Sequence, residues 1–245
     1  QAQAMSGPRS FHTYVHSLIQ TPLPDLGRRL IDSLVWCRDH LNGGEWGQLA
    51  RATLLSGDVA FHGVSFGDRQ LDWLAEQIDR GKIRTLAVDL DYLAFTYTRV
   101  AADYQTTELM FHTLYSEDGT SRFVERFAAV FAPESTLVAD RLTGLGALYG
   151  FVEVVPTDGD PSPAFASWSG HYRDFLGPKF LAAVGGVAAL RAALPDHIVS
   201  LDTGGSAWLQ IPVGPLAASA PAAEAARAAL TRLLVANLPD RLSDL

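Results

Sequence analysis

The run Lys82 to Tyr97 restricts the fold more than any other feature, because it is the strongest strand signal in the chain, rich in β-branched and aromatic residues. Thr107 to Tyr115 follows as a second strand-like run, and the two pair naturally as a hairpin across a long connection. Strands joined without a crossover helix run antiparallel. That arrangement disfavours a doubly wound parallel sheet, whose strands alternate regularly with helices.

The flanking segments agree. Phe11 to Ile19 reads as a first strand. Thr21 can cap the helix after it, Pro22 sits at the first helical position, and Leu23, Leu26, Leu30, Leu34 and Leu41 recur at helical spacing. Gln48 to Leu55 and Phe61 to Phe66 read as strands. Asp68 is placed as the cap of a helix with the stripe Leu71, Leu74, Ala75 and Ile78, ended by Gly81.

Helices are expected from Asp118 to Phe131 and from Glu134 to Leu142, then a strand from Gly150 to Val155 and a loop from Pro156 to Pro163. Asp174 to Val184 and Gly186 to Leu194 read as short helices. His197 to Leu201 and Ala207 to Ile211 form a hairpin, and Ser219 and Pro221 open a last helix with Ala226, Leu230, Leu233 and Leu234 facing in. The expected class is α+β: a mostly antiparallel sheet backed by helices, with a hint of pseudo-duplicated strand-helix-strand halves. Residues 1–4 read as a cloning remnant, and 5–245 as a single domain.

Charge and cysteine usage narrow the partners. The formal net charge is −8, and a net-acidic surface repels phosphate backbones, so nucleic acid is not an expected partner. It suits a basic protein partner. Lys and Arg are scattered, with no basic patch interleaved with aromatics. The lone cysteine, Cys37, excludes an internal disulfide and is expected to be buried and inert. No apolar run reaches the roughly 18 residues that span a bilayer, and the N-terminus lacks a signal-peptide pattern, so a cytoplasmic location is expected.

Four constellations could carry chemistry. Asp89 and Asp91 lie two apart on a strand, so both side chains share one face. With Glu108 on the paired strand, they could hold Mg²⁺ in a nucleotidyl- or glycosyl-transferase. The upstream segment Gly63 to Asp68 does not match the turn that grips a triphosphate in nucleotidyltransferases, and an acidic solvent-facing side of an antiparallel strand explains the pair as well.

His12 and His16 share a strand face about 13 Å apart, too far for one metal, and read as surface histidines. Ser167, Ser169, His171 and Asp174 contain the residue types of a nucleophilic triad. Such triads draw their members from separate elements, so crowding within eight residues argues against a working one. The glycine pairs follow no phosphate-binding pattern and read as helix stops and turns. No metal or cofactor is expected.

The remaining feature is the segment Asp158 to Asp174, read as a polar, aromatic surface loop. Asp158, Asp160, Trp168, His171, Tyr172 and Asp174 combine carboxylates with aromatic rings, the composition of protein-recognition hot spots. The alternative is that Trp168 and Tyr172 cover the edge of the core.

From Trp168 to Leu238 the chain shows Phe175-Leu176-Gly177-Pro178, then Val184-Gly185-Gly186, Leu190-Arg191, a turn through Gly204-Gly205 and a terminal helix; Gly144 to Val152 adds a turn into a strand. This pattern resembles the C-terminal half of bacterial polymorphic-toxin and type VI secretion immunity proteins. The resemblance implies a non-enzymatic cytoplasmic protein that binds a cognate toxin of the nuclease or deaminase type and occludes its basic active site. The competing expectations are the Asp89/Asp91 transferase and a scaffold or regulatory domain.

Overall fold

A computed structural model of the chain describes residues 9–20, 24–41, 44–46, 49–55, 57–62, 66–90, 93–115, 146–156, 168–201, 204–214, 221–240 and 244. The strands are β1 (Arg9–Gln20), β2 (Leu49–Leu54), β3 (Gly57–His62), β4 (Ile83–Asp89), β5 (Leu93–Ala101), β6 (Tyr104–Tyr115), β7 (Ala147–Pro156), β8 (Arg173–Leu176), β9 (Ile198–Leu201) and β10 (Ala207–Gln210). The helices among the described residues are α1 (Leu26–Leu41), α2 (Asp68–Asp79), α3 (Pro178–Ala183), α4 (Gly186–Ala193) and α5 (Pro221–Asn237). The strands form one sheet in the order β3-β2-β4-β5-β6-β1-β7-β8-β10-β9. The fold is α+β with a mostly antiparallel sheet, as the strand order along the sequence predicts.

The chain separates into two compact units. The unit of residues 15–111 and 136–150 carries α1, β2, β3, α2, β4 and β5. Its sheet is a run of antiparallel pairings, β3 to β2, β2 to β4, β4 to β5 and β5 to β6. The predicted stripe on α2 is the buried one: Leu71, Leu74, Ala75 and Ile78 all face inward. Leu30, Ile31 and Leu34 of α1 and Leu86 and Val88 of β4 join the core, each fully buried side chain stabilising the unit by roughly 2 kcal/mol. Helices α1 and α2 meet at Gly27, where any Cβ would collide with the Ala75 carbonyl and where the Gly27 N–H donates to Asp79 Oδ1 at 2.7 Å.

The other unit, residues 1–14, 112–135 and 151–245, carries β8, α3, α4, β9, β10 and α5. β10 lies between β8 and β9, antiparallel to both, with Leu209 opposite Asp174 on one side and Val199 on the other. Phe151, Phe175, Phe180, Leu190, Leu209, Leu230 and Leu234 form its core.

Several local expectations change. Lys82 to Tyr97 is not one strand but two, β4 and β5, paired antiparallel with Asp89 opposite Ala94. A short turn after Ala101, not a long connection, joins β5 to β6. β3 lies at Gly57–His62, earlier than the predicted Phe61 to Phe66, because its ladder with β2 starts at Leu54 opposite Gly57. Asp68 is the first helical residue of α2 and Gly67 is its cap, with Gln70 Oε1 accepting the Gly67 N–H at 3.1 Å.

The predicted helix Asp174 to Val184 begins as strand β8, because Arg173 to Leu176 pair with β10; α3 starts only at Pro178, after the Gly177 cap. Leu233 is half-buried rather than fully inward. The expected helices between Asp118 and Leu142, the cap Thr21, the first helical residue Pro22 and the loop from Thr157 to Pro163 lie outside the described residues, and α1 begins only at Leu26.

Candidate functional site

A polar cluster among the described residues surrounds β8. Asp174 is 1% exposed, and a carboxylate that deep needs partners for its oxygens. It finds both on His171. The backbone N–H of His171 donates to Asp174 Oδ2 at 2.8 Å, and His171 Nδ1 lies 2.9 Å from Oδ1. A carboxylate accepts, so Nδ1 carries the proton, and the lone pair of the neutral ring is on Nε2. Nε2 lies 3.3 Å from Ser169 Oγ. The ring stacks on Phe151, with centroids 3.6 Å apart and planes within 5°.

The loop that presents these residues is held from both sides. Trp168 Nε1 donates to the Pro239 carbonyl at 2.7 Å, and its ring meets Phe180 edge-on at 5.2 Å. The Gly170 N–H donates to Thr231 Oγ1 at 2.9 Å. Gly170 runs so close to α5 that a Cβ there would sit 2.5 Å from the Arg227 carbonyl oxygen.

Next to the cluster, Arg227 of α5 makes a bidentate ion pair with Glu153 of β7: Nη2 donates to Oε1 at 2.9 Å and Nη1 to Oε2. Burial pulls the Arg227 pKa down, but the Glu153 hydrogen bond and the charges of Glu153, Asp174 and Glu224 more than offset it, leaving it above the ordinary value. His197, just before β9, also senses Asp174. Burial holds its pKa below the ordinary value, and Asp174 and Asp196 oppose that only in part. On the strand face shared by Arg173 and Trp208, the Arg173 guanidinium lies 4.6 Å over the Trp208 ring. Burial raises the Tyr172 phenol above its usual pKa, partly offset by Arg173.

This geometry corrects two expectations. Trp168, His171, Tyr172 and Asp174 do not lie on a surface loop; they are 6%, 7%, 2% and 1% exposed and belong to the core of their unit. Asp158 and Asp160 lie outside the described residues. Conversely, Ser169, His171 and Asp174 do come within hydrogen-bonding distance, although their crowding in sequence argues against it. The chain turns tightly enough for the His171 backbone and ring to address the same carboxylate three residues on.

The remaining candidates are placed as follows. Asp89 is exposed at the end of β4; Asp91 and the Glu108 side chain lie outside the described residues. Asp89 pairs with Ala94, whereas Glu108 pairs with Thr96. Two strand spacings and two residues of stagger therefore separate their Cα atoms by about 12 Å. Among the described residues no group of three or more His, Cys, Asp or Glu side chains could hold a metal ion. His12 and His16 are both on β1; His16 is buried rather than on the surface, and His12 Nδ1 lies 3.4 Å from the Tyr14 hydroxyl. Cys37 is buried, as expected.

Sequence reasoning missed one signal. Gly63-Val64-Ser65-Phe66-Gly67 has the Gly-x-Ser-x-Gly spacing of a nucleophile elbow and lies between β3 and α2. Gly63, Val64 and Ser65 lie outside the described residues.

No family model matches the chain, and no curated protein matches it. Among solved structures the chain is similar to the Pseudomonas aeruginosa T6SS protein PA0821, with a TM-score of 0.57 and 13% sequence identity, over 91% of this chain and 74% of that one. At that identity the likeness is one of fold.

Proposed function

We propose that this chain is a type VI secretion immunity protein that binds a cognate toxin and occludes its active site. The observation that carries the reading is the fold likeness to a T6SS protein across 91% of the chain. Two features support it. The residue pattern from Trp168 to Leu238 resembles immunity proteins, and the net charge of −8 favours a basic partner such as a nuclease or deaminase. Trp168, His171, Tyr172 and Asp174 are buried, and Asp158 and Asp160 lie outside the described residues. No helix among the described residues is long and apolar enough to cross a membrane.

The test is isothermal titration of the purified chain with the protein encoded by the adjacent gene, together with rescue of cells expressing that protein. Binding tighter than about 1 µM, with rescue, is the expected result. Absence of both overturns the reading and leaves a scaffold or regulatory role.

A further inference from the structure

We infer that Ser169 is an activated nucleophile, poised to accept an acyl or phosphonyl group from an activated ester. This goes beyond the binding reading and does not depend on it. Asp174, buried to 1% exposure, fixes the His171 tautomer by accepting from Nδ1 at 2.9 Å. The Phe151 stack at 3.6 Å fixes the ring plane. The Nε2 lone pair then faces Ser169 Oγ at 3.3 Å, a separation that suits a resting nucleophile and base. Ser169 itself is only half-buried, while both its neighbours are tied down, Trp168 to Pro239 and Gly170 to Thr231. A hydroxyl set against a fixed imidazole, itself held by a buried carboxylate, is the arrangement that makes a serine nucleophilic.

In the step itself, Ser169 Oγ forms a bond to the carbonyl carbon of an ester, the Oγ proton passes to His171 Nε2, and the C–O bond to the leaving alcohol breaks. The leaving alkoxide takes that proton from Nε2. Asp174 stays ionised and stabilises the transient imidazolium. With a fluorophosphonate the same attack forms an O–P bond and expels fluoride.

The experiment uses the full chain and a fluorophosphonate probe, with adduct mapping by mass spectrometry. The expected result is a single adduct on Ser169, absent in Ser169→Ala. His171→Gln and Asp174→Asn are expected to slow modification of Ser169 by at least about 100-fold while the hydroxyl remains. Circular dichroism checks that those two buried variants fold. Should either fail to fold, wild type against Ser169→Ala decides. An unmodified Ser169 in wild type, under conditions that fully label a known serine hydrolase, overturns the inference. So does labelling of folded His171→Gln at the wild-type rate, which would leave the cluster a purely structural one.

Discussion

Gly170 has no room for a side chain: a Cβ there would lie 2.5 Å from the Arg227 carbonyl oxygen, a backbone atom that cannot swing aside. Gly170→Ala is therefore expected to destabilise the protein by about 1–3 kcal/mol, measured by chemical denaturation. A change below a few tenths would mean that the loop relaxes freely away from α5. His197 carries a pH dependence. Its folded pKa is lowered from the ordinary 6.5, chiefly by burial. The folded state thus favours the neutral ring. The stability this contributes is complete above the unfolded value near 6.5 and is lost as pH falls below it toward the folded value. Replacing His197 with Gln should flatten the acid-side slope of unfolding free energy against pH. An unchanged slope would assign that dependence to other groups.

At the scale of elements, the Arg227–Glu153 pair joins α5 to β7 inside one unit, with side-chain exposures of only 15% and 10%. Removing one partner leaves the other charge buried without this ion pair. Glu153→Gln or Arg227→Met should each cost about 3 kcal/mol, whereas the double variant Glu153→Leu with Arg227→Leu should recover most of the loss. Thermal and urea unfolding of the three variants measure this, and additive losses in the double variant would show that the pair is not coupled. In the other unit, α1 and α2 meet through Gly27 and the Gly27 N–H to Asp79 bond. Tyr97 on β5 sits in that core, and burial pushes its phenol up to about 12. On alkaline titration the Tyr97 phenol, read as the absorbance difference between wild type and Tyr97→Phe, should stay neutral until near that pH. Ionisation near the ordinary value of 10.0 would place Tyr97 in contact with water.

For the whole molecule, the net charge of −8 gives the proposed inhibitor a measurable signature. Association with a basic toxin should slow by roughly tenfold or more between low and physiological salt, while the dissociation rate changes little. Stopped-flow mixing across an ionic-strength series measures both. A salt-independent association rate would remove electrostatic steering from the proposed mechanism without touching the titration that tests binding itself.

What the sequence determined by itself was local or cumulative. The α2 stripe follows from spacing along one helix, the β9–β10 hairpin from two short runs across a glycine turn, and the α+β class from the order of elements. Each of these is carried by neighbours within a few residues, where periodicity and turn chemistry act directly. Only the tertiary structure decided that Arg173 to Leu176 form a strand, because a ladder with β10, beyond two intervening helices and a further strand, outweighs helical spacing. It also decided that Trp168, His171, Tyr172 and Asp174 are buried, in a segment that distant parts of the chain hold: Phe151 stacks on His171, Thr231 takes the Gly170 N–H and Pro239 the Trp168 indole. The hydrogen-bonded line from Ser169 through His171 to Asp174 has the same origin. Its members are close in sequence, but the backbone turn that aligns them is held by contacts to α5 and Phe151, which no local pattern encodes.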